Sequence, residues 1–171
     1  MSLASLARRQ AGEAIAAHAN AIAEDWKLAV RSDQDIQGDD RLPDLLLTNQ
    51  VPALLADIAH SLREGDADSD LSIARRRRGL RFGKLRGLAR YDAADIYREF
   101  QHLRHAVWKF LRSHLDWSRG DAFEVMLGID QYLDEVMSAS LRGFFEVTER
   151  VSGDRARPSG PTSGSATRTD E

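Results

Sequence analysis

The chain of 171 residues has no cysteine. That absence excludes disulfides, thiolate metal sites and cysteine nucleophiles, and removes any sign of a secreted disulfide scaffold. Nor does any apolar run approach the ~20 residues that a membrane-spanning helix needs. The opening residues, MSLASLARRQAGEAI, hold no continuous apolar segment of the signal-peptide kind, so the sequence points to a cytoplasmic protein with no membrane partner. Neither charge is in marked excess. With 24 Lys and Arg against 27 Asp and Glu the net charge is -3, without the overall basic bias of nucleic-acid-binding domains. Strand-like alternation, tandem repeats and a dinucleotide fingerprint are also missing. Only four prolines occur. Two of them, Pro43 and Pro52, fit first helical turns better than helix middles.

What is present is helical periodicity, in a composition (42% hydrophobic, 30% charged) ordinary for a globular protein. Ser5 to Arg31 reads as a long helix with Ile15, Ile22, Trp26 and Val30 on one stripe, and with His18 on or near it as a core or interface histidine. Ser32–Asp40 is a polar loop broken by Gly38. A short helical turn follows Leu42, with a break at Thr48-Asn49 and a helix from Val51 that buries Leu54, Leu55, Ile58 and Leu62. Glu64–Asp70 is an acidic loop. A helix from about Asp70 to Leu88 comes next. Asp92 caps another, with Asp95 in its first turn and a stripe of Ile96, Phe100, Leu103, Val107, Phe110 and Leu111. Ser118 with Asp121 marks the start of a last helix reaching about Arg150, long enough to protrude or to pair with a second copy. Val151–Glu171, rich in Gly, Ser, Thr and Pro, reads as a disordered tail or linker. The expectation is one all-α domain over residues 1–150, a five- to six-helix bundle or globin-like fold with long first and last helices.

The chemistry concentrates between Asp70 and Leu115. Arg75 to Arg90 holds eight Lys and Arg and no acid. On the stripe of Leu71, Ala74, Leu85 and Leu88, the completing positions are Arg78 and Arg81, which break the binary pattern as functional sites tend to. Gly79, Gly83 and Gly87 recur every four residues. Each costs about 1 kcal/mol in a helix relative to alanine, and their spacing fits a close helix crossing. Glu99 lies on the edge of the next helix's stripe, flanked by Trp108. A carboxylate facing Arg78 and Arg81 implies a partly buried ion-pair network.

Sharper motifs fail on inspection. Gly79 to Lys84 has three residues between its glycines, Leu85 where a phosphate loop needs Ser or Thr, and no preceding strand. Glu99-x-x-His102 is half of a di-iron motif without its second half, so no metal site is expected, and His102 and His105 read as solvated. The Arg75–Arg78 run reads as a solvated face paired with nearby acids more readily than as a phosphate track. A globin-like sensor that binds haem, with His18 or His60 as axial ligand, or another small ligand is one alternative function. Nucleic-acid binding is a second.

Arg78-Gly79-x-Arg81, then Gly87, then Asp95-x-x-x-Glu99-Phe100-x-x-Leu103-Arg104 resembles the RsbRD-type N-terminal domain. That family's pattern runs His-Gly-x-x-Arg, a Gly at the helix end, then Glu-Tyr-x-x-Leu-Arg. Arg78 stands where the pattern has His, Phe100 where it has Tyr, and the Gly–Arg spacing is one residue short. The resemblance spans about Leu42–Arg150. It implies a non-catalytic, cofactor-free sensory domain that is bundle-like or globin-related and serves a kinase or other stress-signalling regulator. In that setting Arg78, Arg81, Glu99 and Arg104 would couple the central helices, and the long terminal helices would form a homodimer.

Overall fold

The computed structural model describes residues 3–38, 40, 42–64, 69–115 and 122–155. Among these residues six helices follow in order: α1 (Leu3–Ser32), α2 (Asp44–Thr48), α3 (Val51–Glu64), α4 (Ser69–Leu88), α5 (Ala93–His114) and α6 (Ala122–Arg155). The fold is all-α with long first and last helices. The expected helix start at Ser118 and Asp121, the middle of the acidic loop and the residues after 155 lie outside the described set. α6 continues five residues past the expected boundary at Arg150. Among the described residues no helix is long and apolar enough to cross a membrane.

α1 buries Ala11, Ile15, Ile22, Trp26 and Val30. It runs antiparallel to α3 and α5. Gly12 lets it approach α3, since a methyl there would sit 2.5 Å from the Ala59 carbonyl. His18 has non-helical φ -123° and ψ 18°, a kink in α1. It is exposed, and it meets α5 at the helix interface rather than in the core. Its ring lies 5.1 Å from that of Phe110.

Leu54, Leu55, Ile58 and Leu62 of α3 are buried, as are Ile96, Phe100, Leu103, Val107 and Leu111 of α5 and Ile129, Leu133, Val136 and Phe144 of α6. Each such side chain contributes roughly 1.5–3 kcal/mol by leaving water. The start of α5 is closed by a capping box: the Ala94 N–H donates to Asp92 at 2.6 Å, and the Asp92 N–H donates to Asp95 at 3.1 Å. That box satisfies donors that a helix start leaves without partners.

α4 and α6 run parallel. Gly79 faces Val136 and Ala139, Gly83 faces Ser140, and Gly87 faces Phe144 and Val147. From the other side, Gly143 faces the backbone of Leu80. A methyl on Gly83 would overlap the Ser140 carbonyl, and one on Gly143 would overlap the Leu80 carbonyl. The missing side chains therefore let two backbones touch, which is the kind of gain that offsets the helical cost of glycine.

This contact decides which face of α4 is buried. Arg75, Phe82 and Arg86 lie inside, whereas Leu88 is 67% exposed and Arg81 is exposed. The stripe expected from Ala74, Arg78, Arg81, Leu85 and Leu88 is thus not the inner face. Apolar periodicity weighs side chains, and here the packed surface is made of glycine backbone and long arginines.

Candidate functional site

Arg86 and Glu99 form an ion pair whose side chains are both 0% exposed, with Nε donating to Oε2 at 3.0 Å. Each residue is placed by its helix. Glu99 lies between Ile96, Phe100 and Leu103 on the inner face of α5. Arg86 extends from the glycine-lined face of α4, and its guanidinium lies 4.0 Å above the Phe82 ring and 5.6 Å from that of Tyr91. Arg86 Nη2 also donates to the Leu47 carbonyl at 2.9 Å. That carbonyl belongs to the last turn of α2, where helix carbonyls lack internal partners and favour a cation. On the far side, Trp26 Nε1 of α1 donates to the Glu99 carbonyl at 2.9 Å. One pair therefore ties α1, α2, α4 and α5 together.

The turn after α4 belongs to the same unit. The Arg90 N–H donates to the Gly87 carbonyl and the Tyr91 N–H to the Arg86 carbonyl, at 3.2 and 3.1 Å. These two bonds make a Schellman ending in which Arg90 takes the left-handed position, with φ 60°. The ending delivers the Tyr91 ring beside Arg86, and Gly38 of the loop after α1 packs directly on that ring. Burial pushes the Glu99 carboxyl above its ordinary value, while Arg86 and the Tyr91 hydroxyl pull it back. Arg86 Nη1 and Glu99 Oε1 have no hydrogen-bond partner of ordinary geometry. A charge pair of this kind, shielded and incompletely satisfied, gives little net stability, but loss of either partner leaves the other charge stranded.

Glu99 is thus in the core, not at its edge, and its partner is Arg86 rather than Arg78 or Arg81. Arg78 instead donates to Asp57 of α3 at 2.8 Å, and the Tyr132 hydroxyl of α6 donates to the same oxygen at 3.3 Å. Arg81 is exposed beside the Asn49-Gln50 turn. Arg104 spans α5 to α6, meeting Asp130 at 3.0 Å and also Asp134. Burial raises the Asp130 carboxyl and Arg104 opposes it. Arg75 pairs with Glu135 at 2.8 Å and lies 4.6 Å over the Tyr132 ring. His102 is half-buried against Asp33 at 2.7 Å, not solvated. The four proposed coupling residues therefore fall into separate clusters.

Sequence reasoning missed Arg86 and Tyr91, and read Trp26 only as a residue of the first helix's apolar stripe. A signal for Arg86 was present. Phe82-Gly83-Lys84-Leu85-Arg86 keeps the Gly-x-x-Arg spacing of the pattern described above, with Phe in the place of His, four residues beyond the register first assigned.

A cavity of about 960 Å³ lies between the end of α5 and the start of α6, lined by Trp108, Leu111, Ala122 and Met126 with Lys109 and Arg112 among its cations. Trp108 Nε1 is buried without a hydrogen-bond partner among the described residues. Neither His18 nor His60 is among the described lining residues. Of the Arg75–Arg78 run, three members hold carboxylates: Arg75 and Arg76 hold Glu135, and Arg78 holds Asp57.

A family model, described as the RsbT co-antagonist protein rsbRD N-terminal domain, matches residues 20–158. No curated protein and no solved structure matches the chain.

Proposed function

Because the chain belongs to the RsbT co-antagonist protein rsbRD N-terminal domain family, we propose that it is a non-catalytic input domain of stress signalling. It works through protein–protein contact, as a homodimer whose output partner is a kinase or another signalling regulator. The carrying observation is the Arg86–Glu99 pair. A fully shielded pair offers nothing to a substrate, yet a shift in any of the four helices that meet at it changes the surroundings of both charges.

The exposed apolar side chains support pairing of two copies. Phe123, Leu127 and Phe145 are exposed and, by helical spacing, share one side of α6. Apolar surface of this kind marks interaction sites when it is contiguous. Light scattering on the purified protein tests the reading: a dimer that Phe145→Asp converts to a monomer of unchanged melting temperature is expected, and a wild-type monomer at micromolar concentration would overturn it.

The cavity beside Trp108 favours a second reading, a small-ligand sensor. Apolar pockets of 300–1,000 Å³ are the usual size for such ligands. An absorbance spectrum and native mass spectrometry on the same sample decide between the two readings. A Soret band or a copurified apolar molecule would select the sensor, and clean apoprotein would select the cofactor-free module.

A further inference from the structure

The surface of α4 holds a second cluster, separate from the buried pair. Arg77, Arg78 and Arg81 line a half-open groove of about 310 Å³ together with Ala74, Asn49 and Gln50. Arg77 and Arg81 sit one helical turn apart on the same side of α4. Facing them is the turn that joins α2 to α3, so the positive end of α3 opens on the same groove. No acid is among the described lining residues. The carboxylate nearest in connection, Asp57, is already held by Arg78 and by the Tyr132 hydroxyl. Arg77 and Arg81 have no carboxylate within ion-pair distance among the described residues, unlike their neighbours Arg75 and Arg76. Gln50 Oε1 is buried without a hydrogen-bond partner among the described residues.

From this geometry we propose that the groove is a binding site for a small phosphate monoester. Three guanidinium groups present the planar forks that recognise phosphate oxygens through paired, charge-assisted hydrogen bonds. Arg78 is pre-positioned by Asp57, while Arg77 and Arg81 carry no ion-pair partner among the described residues. The Asn49 and Gln50 amides supply donors for the remaining oxygens. The volume accommodates one phosphate group with a small substituent. It does not accommodate a nucleic-acid backbone, which would need the basic run to continue through Arg75 and Arg76, and these are tied to Glu135. The site stands on its own residues, whether or not the domain is a dimeric input module.

The test is a phosphorus NMR titration of the full chain with inorganic phosphate and, separately, glycerol 2-phosphate, at constant ionic strength in chloride. Saturable binding of both, tighter for the monoester, is expected. Arg77→Gln with Arg81→Gln should weaken it at least about tenfold, with an unchanged circular dichroism melt because both side chains are exposed. The charge-matched control Arg76→Gln with Arg142→Gln should bind as the wild type does. Three results would overturn the proposal: no saturable binding, equal weakening by the control pair, or binding of inorganic phosphate that the monoester does not share.

Discussion

At the scale of single residues, the buried pair makes the sharpest demand. Arg86→Met leaves the Glu99 carboxylate in the core without its cation, and should cost about 3–5 kcal/mol. Arg86→Met combined with Glu99→Met removes both charges, and urea denaturation should show the double variant well above the sum of the single losses. Additive losses would mean that the two side chains do not act as a unit. Asp33 makes a milder demand. The hydrogen bond from His102 holds its carboxyl below the ordinary 3.8, with burial opposing. A carboxylate depressed in the folded state adds stability above its unfolded value, and that stability is lost as pH falls through the folded value. In Asp33→Asn the drop in urea midpoint between about pH 5 and about pH 3 should therefore be smaller than in the wild type. Arg90 is the reverse case. A non-glycine residue at a left-handed helix ending is strained, so Arg90→Gly should raise stability by about 1 kcal/mol, read as a higher melting temperature.

The helices themselves separate what sequence could report from what it could not. Stripes of Ile, Leu, Val and Phe located α3, α5 and α6 because burial of those side chains is what forms them, and the Asp92 cap was legible because its chemistry is local. α4 was legible as a helix from about Asp70 to Leu88, but its buried face escaped the same reasoning. Its inner face is three glycines, Phe82 and two arginines, and neither glycine nor arginine registers in an apolar pattern. The spacing of the glycines was visible; the helix they oppose was not, since the contact joins residues about 57 positions apart. Arg86 was hidden for a related reason: its partner is set by how α4 and α5 turn about the Schellman ending. Substitutions at the glycines should reflect this geometry. Gly83→Ala forces two backbones apart and should cost about 3 kcal/mol or more, within the range of severe overpacking. At Gly87 the nearest atom to an added methyl is 3.2 Å away. Gly87→Ala should therefore come within about 1 kcal/mol of neutral, as helix propensity offsets the crowding. Equal effects at the two positions in thermal melts would contradict the close crossing at Gly83.

Across the whole molecule, polar contacts link α3 with α4 and α6, α4 with α6, α5 with α6, and α5 with the loop after α1: Asp57 with Arg78 and Tyr132, Glu135 with Arg75, Arg104 with Asp130, and His102 with Asp33. Around them α6 runs for 34 residues, about 51 Å at the standard helical rise. The parallel seat of α4 on α6 has a mechanical consequence for a rod of that length. Gly79, Gly83 and Gly87 are notches about one turn apart on α4 that face Ala139, Ser140 and Phe144 of α6, and Gly143 is a notch on α6 that faces the backbone of Leu80. Backbone seated on backbone leaves no slack for a fractional slide. Displacement along the shared axis has to lift the helices apart or advance by a whole notch, about 6 Å for four residues. In the proposed input module, a message carried along this rod would be a click, not a drift.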